Sequence, residues 1–377
     1  MSTELKLSRV TARVFRCPLD QPVRTSFGTM RDRPMVMIEV EDEQGARGWG
    51  EAWCNFPAVG AEHRARLVDS VLTPLLLARS FRDPVEAFEH VTDRTAVLAL
   101  QSAEPGPFAQ AIAGLDTALW DLAARRAGKP LWKLLNDDGS PEIGVYASGL
   151  NPDAPERLAK SKQEAGYRSF KLKVGFGIER DLANLTALRR TLGSDAGLMV
   201  DANQGWHVDQ ALEMLPKLEA FDLGWLEEPI RADEPWHEWQ RLKAATRVPL
   251  AGGENISGGS DFERAFDAGV LGVVQPDLAK WGGLSATLPV ARRIRERGLR
   301  FCPHYLGGGI GLLASAHLLA AVGGDGLLEI DANANPLRSL IAVDLEDVRE
   351  GRVTLPATPG LGVEPDLKSL GEYLVEH

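Results

Sequence analysis

In the second half of this chain, seven short apolar runs each close on an ionisable residue, at nearly constant spacing. The closing residues are Lys173, Asp201, Glu227, Glu254, Asp277, His304 and Glu329, at intervals of 28, 26, 27, 23, 27 and 25 residues. The runs are "SFKLKV", "GLMVDA", "GWLEEP", "VPLAGGE", "GVVQPD", "LRFCPH" and "GLLEID", and an eighth, "IGVYAS", precedes them. Between them lie helix-length amphipathic segments such as "RDLANLTALRRTLG" and "GLSATLPVARRIRERG". Parallel strands need a crossover connection, and eight strand–helix units in series close into a barrel. The expected fold is therefore α/β, a modified (β/α)8 TIM-type barrel. In such a barrel the C-terminal strand ends converge on one face, so these charges are expected to ring a single mouth.

The first 130 residues read differently. "VTARVFRCPL" alternates with period two, and "PMVMIEVEDEQGARGWGEAW" reads as a hairpin turning at Asp42 to Gly45. The polar segment between them, "QPVRTSFGTMRDRP", is expected to be a loop. Two amphipathic helical stretches follow, "AEHRARLVDSVLTPLLLA" and "PGPFAQAIAGLDTALWDLAARRAG". Together these form an α+β unit.

Charge narrows the partners. With 42 basic against 53 acidic residues the net charge is −11, which argues against nucleic acid as the main partner. The longest apolar region, "IGLLASAHLLAAVGG", is too short to span a bilayer and carries His317, so no membrane association is expected. "MSTELKLSRV" lacks the apolar core of a signal peptide. Cys17, Cys54 and Cys302 form no disulfide framework, so a reducing cytoplasm is expected.

The ring suggests a chemistry. Asp201, Glu227 and Glu254 come from three consecutive strands, and three carboxylates in one space repel unless a cation sits among them. Oxygen-only ligation suits a hard ion, so Mg²⁺ is expected. "KLK" places Lys171 and Lys173 on one face of the second strand. Two neighbouring ammonium groups are expected to depress each other's pKa and make one a usable base. Across the barrel, Asp277 beside His304 would fix the imidazole tautomer and raise its basicity. A carboxylate substrate bound to the metal would then meet a base on each face of its α-carbon. The metal, Lys171 and a proton donor such as Glu329 would stabilise the enediolate formed when the α-proton leaves.

"SFKLKVG", "VDANQGW", "WLEEP", "GGEN", "QPDLAKWGG" and "CPH" follow one another here in a way that resembles the enolase superfamily, in its mandelate racemase branch. The resemblance covers essentially the whole chain. It implies that residues 1–130 cap a barrel of residues 131–354, with the segment 355–377 packing back on the cap. It implies metal ligation by Asp201, Glu227 and Glu254. Lys173 matches the base on one face with Lys171 as its partner, and His304 with Asp277 matches the dyad on the other. Asn203 matches a polar position facing substrate, and Glu329 an acid that hydrogen-bonds the substrate carboxylate. "PVRTSFGTMRDRP" matches a mobile, substrate-selecting loop, in which Arg24 and Arg31 would meet a second carboxylate or hydroxyls. The muconate-lactonizing branch carries a lysine at the end of strand six; Lys280 lies three residues beyond Asp277, so it is not expected at that position. "GGGIG" at 307–311 fits no phosphate-binding pattern and reads as a tight barrel loop. The expected partner is a small-molecule carboxylate, and an even-numbered homo-oligomer is usual among proteins of this kind. Dehydration of a sugar acid to a 2-keto-3-deoxy acid is the favoured outcome, with racemisation or epimerisation the alternative. A non-catalytic acid-binding protein on the same scaffold would leave the base positions unfilled, whereas here all are filled.

Overall fold

The structure, a computed structural model, describes residues 4–24 and 28–377. The N-terminal part is an antiparallel sheet, β1 (Leu7–Arg24), β2 (Thr29–Asp42) and β3 (Arg47–Ala52), joined at its edge by a short C-terminal strand, Leu374–Val375, beside β1. Helices Pro84–Gln101 and Pro105–Arg126 cover one face. The second helix lies so close to β3 that a Cβ on Gly50 would come within 2.0 Å of the Gly114 carbonyl oxygen. The "GWG" spacing in β3 is thus a groove for that helix.

The polar segment expected as a loop is mostly strand. β1 and β2 stay paired as far as Val23↔Met30 and Arg24↔Thr29, after a register shift between Pro18 and Val23. Pairing persists because Val23 and Met30 turn apolar side chains toward a cavity under the hairpin, a partner invisible to local polarity. The Arg24 side chain and residues 25–27 lie outside the described residues.

All eight barrel runs are strands. They are β4 (Glu142–Leu150), β5 (Ser169–Lys173), β6 (Gly197–Asp201), β7 (Leu226–Glu227), β8 (Leu250–Gly252), β9 (Leu271–Val274), β10 (Arg300–Phe301) and β11 (Leu327–Asp331). They pair in parallel in the order β10-β9-β8-β7-β6-β5-β4-β11, a nearly closed ring. Tyr146, Met199, Trp225, Ala251, Val273 and Cys302 fill its interior. Tyr146 and Trp225 meet edge to face, with centroids 5.3 Å apart. This plug is the floor of the site. No helix among the described residues is long and apolar enough to cross a membrane.

Two barrel helices begin without a side chain of their own to cap them. Gly283–Glu296 follows Gly282, and Gly309–Val322 follows Gly308. Their first N–H groups are satisfied from the N-terminal part instead. Asp116 Oδ2 accepts from the Leu284 and Ser285 amides at 2.7 and 2.9 Å. Glu51 accepts from the Gly308 and Gly311 amides at 2.6 and 3.0 Å. "GGGIG" is thus an anion-binding helix start, and its anion is a carboxylate of the same chain.

Candidate active site

Strand geometry stacks the charged side chains in layers. Lys171 and Lys173 share a face of β5, Lys173 is in register with Asp201, and Asp201 with Glu227. Lys171 lies directly above the floor, its Nζ 5.4 Å from the centre of the Tyr146 ring. It is fully buried and donates to both Glu227 oxygens at 2.7 Å. It also lies 2.8 Å from Glu329 Oε1. One layer up, Lys173 Nζ donates to Asp201 Oδ2 at 2.5 Å.

Across the mouth, His304 Nδ1 lies 2.7 Å from Asp277 Oδ2, and its Nε2 lies 2.5 Å from Glu254 Oε2. Asp277 is itself fixed, because its Oδ1 accepts from the Ala279 and Lys280 amides. Glu329 accepts from Ser148 Oγ at 2.5 Å and from the Tyr305 amide at 3.2 Å. Asn203 donates from its backbone and its side chain to Asp201. Asn203, Gln204 and Glu228 all adopt positive φ, a cost that non-glycine residues bear mainly where function fixes the backbone.

The electrostatics differ from the sequence expectation in two places. Burial and the neighbouring Lys171 both push the Lys173 ammonium down, but Asp201 and Glu227 lift it more, so its pKa is raised. The lysine pair therefore does not yield a low-pKa base in this arrangement; the intervening carboxylates outweigh the repulsion. Glu329 was expected as a proton donor. Burial raises it, yet Lys171 and His304 pull it down to about 2, so it is an ionised acceptor. Burial disfavours the charged imidazole of His304, but Glu254 and Glu329 hold its pKa well above the ordinary value.

Between the barrel mouth and the β1–β2 hairpin lies a cavity of about 230 Å³. Lys173, Asn203, Glu254 and His304 reach it from the barrel. Arg31 does not; it is exposed on β2. Arg33, two residues on, lines the cavity and is buried. Lys280 lines it too. The chain turns helically after Asp277, with Lys280 and Trp281 amides bonded to the Asp277 carbonyl. This brings the Lys280 ammonium back over the mouth, 2.9 Å from Asn255 Oδ1 and 4.9 Å from the centre of the Trp53 ring.

Residues 9–136 match the mandelate racemase / muconate lactonizing enzyme N-terminal domain, and residues 154–369 the enolase C-terminal domain-like family. The chain belongs to the enolase superfamily, in its mandelate racemase branch. It is similar to a mandelate racemase/muconate lactonizing enzyme of Bordetella bronchiseptica, with 58% identity and a TM-score of 0.93, covering 98% of this chain and 99% of that one. A Streptomyces coelicolor racemase solved with bound magnesium is 31% identical, with a TM-score of 0.84 over 98% and 100% of the two chains. The 3,6-anhydro-alpha-L-galactonate cycloisomerase of Streptomyces coelicolor is 32% identical over 98% of this chain and 99% of its own length. Other relatives are named as sugar-acid dehydratases, a racemase and an epimerase. The chain is an enzyme of the mandelate racemase type, a lyase or isomerase.

Members of this superfamily bind Mg²⁺, and the donors here suit it in kind. Asp201 and Glu227 end adjacent strands in register, and Glu254 follows the next strand. Among the described residues, however, no three His, Cys, Asp or Glu side chains converge as a ligand group. Each of the three carboxylates faces a cation of the chain instead: Asp201 faces Lys173, Glu227 faces Lys171, and Glu254 faces His304. Among the described residues Glu228 forms no ion pair; Asn255 donates to both its oxygens and the Lys280 charge acts on it only from a distance. Burial and the adjacent Glu254 hold its pKa well above the carboxylate range, the mark of an acidic cluster short of positive charge.

Proposed function

We propose that this enzyme removes the α-proton of a hydroxy or sugar acid and then expels the 3-hydroxyl, giving a 2-keto-3-deoxy acid. One observation carries the reading: Lys173 and His304 line one cavity from β5 and from just beyond β10, five steps apart along the pairing order and three steps the other way round the ring. A substrate α-carbon between them has a proton-transfer group on each side.

Asp201, Glu227 and Glu254 would hold Mg²⁺, which when bound supplies a positive charge that favours the dianionic enediolate over the monoanionic substrate carboxylate. With Asp201 and Glu227 drawn to the metal, the two carboxylates that lift the Lys173 pKa would no longer hold its proton, and burial beside Lys171 would favour the neutral amine, whose Nζ takes the proton from C2. Lys171, oriented by Glu329, donates to the substrate carboxylate and offsets the charge that builds there. His304, its Nδ1 held by Asp277, gives the Nε2 proton to the 3-oxygen as the C3–O bond breaks. Water leaves, and the enol tautomerises to the 2-keto acid with no change in overall oxidation state. Asn203 orients the reacting end.

The same pair also supports a second reading. If His304 returns a proton to C2 from the opposite face and the 3-hydroxyl stays, the reaction is racemisation or epimerisation. Proton NMR in D₂O with Mg²⁺ and a panel of hydroxy and sugar acids separates the two. Elimination predicts a new 2-keto-3-deoxy product; epimerisation predicts loss of the α-proton signal from an otherwise intact compound. Lys173→Ala and His304→Asn should abolish either. Activity surviving in both variants would remove these residues from the mechanism.

A further inference from the structure

We propose that the substrate is a monocarboxylic acid whose far end is uncharged, an aldonate rather than an aldarate. This rests on the proton-abstraction reading above and deepens it.

The argument is a charge balance along the cavity. Lys173 lies at the reaction centre paired with Asp201, and Lys280, over the Trp53 ring, is already engaged with Asn255 and Glu254. At the outer end the described lining residues include one cation, Arg33. Its charge is already met, because its guanidinium is ion-paired with Asp331, with both side chains buried. Asp331 is anchored in turn by the Asn333 amide and side chain, through Oδ1. Among the described residues that end therefore has no net positive charge to offer.

The wall facing it is apolar. Val23, Met30, Trp53, Phe56 and Leu306 close the cavity. A second carboxylate there would lose its water against these side chains without gaining a cation, the costly case for a buried charge. Hydroxyls fare better. Asn151 and Asn333 line the same end, and Asn151 Oδ1 and Arg33 Nε are buried without a hydrogen-bond partner. That is one acceptor and one donor in reserve, which a polyol can use and a carboxylate, having only acceptors, uses by half. The volume, about 230 Å³, equals roughly eight waters at about 30 Å³ each, enough for one monosaccharide-sized acid.

The test is the rate of α-proton exchange in D₂O, with Mg²⁺, for aldonates and aldarates matched in chain length and configuration. The expected result is a kcat/KM preference for the aldonate on the order of 100-fold, the scale of an uncompensated buried charge. Asp331→Asn, which leaves the Arg33 charge unpaired, should narrow that preference by about tenfold or more by improving the aldarate. Asn151→Ala should raise KM for the aldonate more than it lowers kcat. Aldarates processed as well as aldonates by the unaltered enzyme would overturn the inference and leave the proton-abstraction reading intact. Exchange with no acid of either class would defeat that reading, and this inference with it.

Discussion

Asp116 offers a direct measure of what holds the N-terminal part on the barrel. It sits in helix Pro105–Arg126, fully buried, and caps helix Gly283–Glu296. Two effects oppose each other there. Burial favours the neutral acid, while two amides, the Ser285 hydroxyl and a helix N-terminus favour the anion. Burial wins: the pKa rises from 3.8 to about 7. At about 1.36 kcal/mol per unit, ionising Asp116 costs the fold about 4 kcal/mol, net of what the amides, the hydroxyl and the helix start return. Between pH 4 and 7 the folded state keeps a proton that the unfolded chain has lost. Stability from this group is therefore present at acid pH and falls as pH rises through that window. Asp116→Asn cannot ionise, so comparing it with the unaltered protein cancels every other titration. In urea unfolding followed by circular dichroism, the unaltered protein should lose about 2.5 kcal/mol relative to the variant between pH 5 and pH 8, nearly all of it below pH 7. A difference that stays flat, or moves in favour of the unaltered protein at pH 8, would refute the reasoning. It would show that the helix start, not burial, decides the charge state of Asp116.

Three further outcomes are expected. Lys280→Met removes the ammonium beside Asn255 and Glu254; kcat/KM should fall by about tenfold to a hundredfold with the fold intact by circular dichroism, and an unchanged value would return Lys280 to a structural role. Glu329→Gln leaves Lys171 without one of its two close carboxylates, so kcat should drop on the order of 100-fold or more, measured at saturating substrate. Chelation with EDTA should abolish turnover and lower the melting temperature, and saturating Mg²⁺ at about 100 times its Kd should restore about 2.7 kcal/mol of stability; full activity after exhaustive chelation would exclude a metal role for Asp201, Glu227 and Glu254.

Much of the barrel was legible because each strand end carries its own punctuation. An apolar run closed by a charge, repeated at a nearly constant interval, is hard to produce except by parallel strands whose ends share a mouth. The interior plug was not legible: Tyr146 and Trp225 look like ordinary strand residues until the ring closes around them. That Lys280 reaches the cavity was not legible, because it depends on the helical turn after Asp277. Arg31 was preferred to Arg33 because both lie in a polar stretch; only the position of the hairpin over the cavity distinguishes them. The helix starts at Gly282 and Gly308 left a signal that was not used. Asp116 and Glu51 are acids in otherwise apolar stretches, "AGLDTALW" and "GWGEAW", and a buried acid needs donors from somewhere.

The acids of this chain fall into two groups that share a physical problem and solve it differently. Glu51 and Asp116 are buried on backbone amides at helix starts, where burial raises both pKa values, so they can shed their charge rather than pair it and serve as fixed joints. Asp201, Glu227 and Glu254 are each met by a side-chain cation, a lysine or a histidine, and Glu228 beside them, among the described residues, by no ion pair. A joint should be rigid and charge-satisfied within the protein, whereas a reaction centre gains from charges that can change partners when a substrate arrives. On this view Lys171, Lys173 and His304 do two jobs: they neutralise the acidic cluster, and they are the groups the α-proton would move to or from. Replacing any of them should therefore both lower turnover and leave a buried carboxylate unpaired, so a loss of rate with no loss of stability would argue that the ion pairs around the mouth contribute little to the fold.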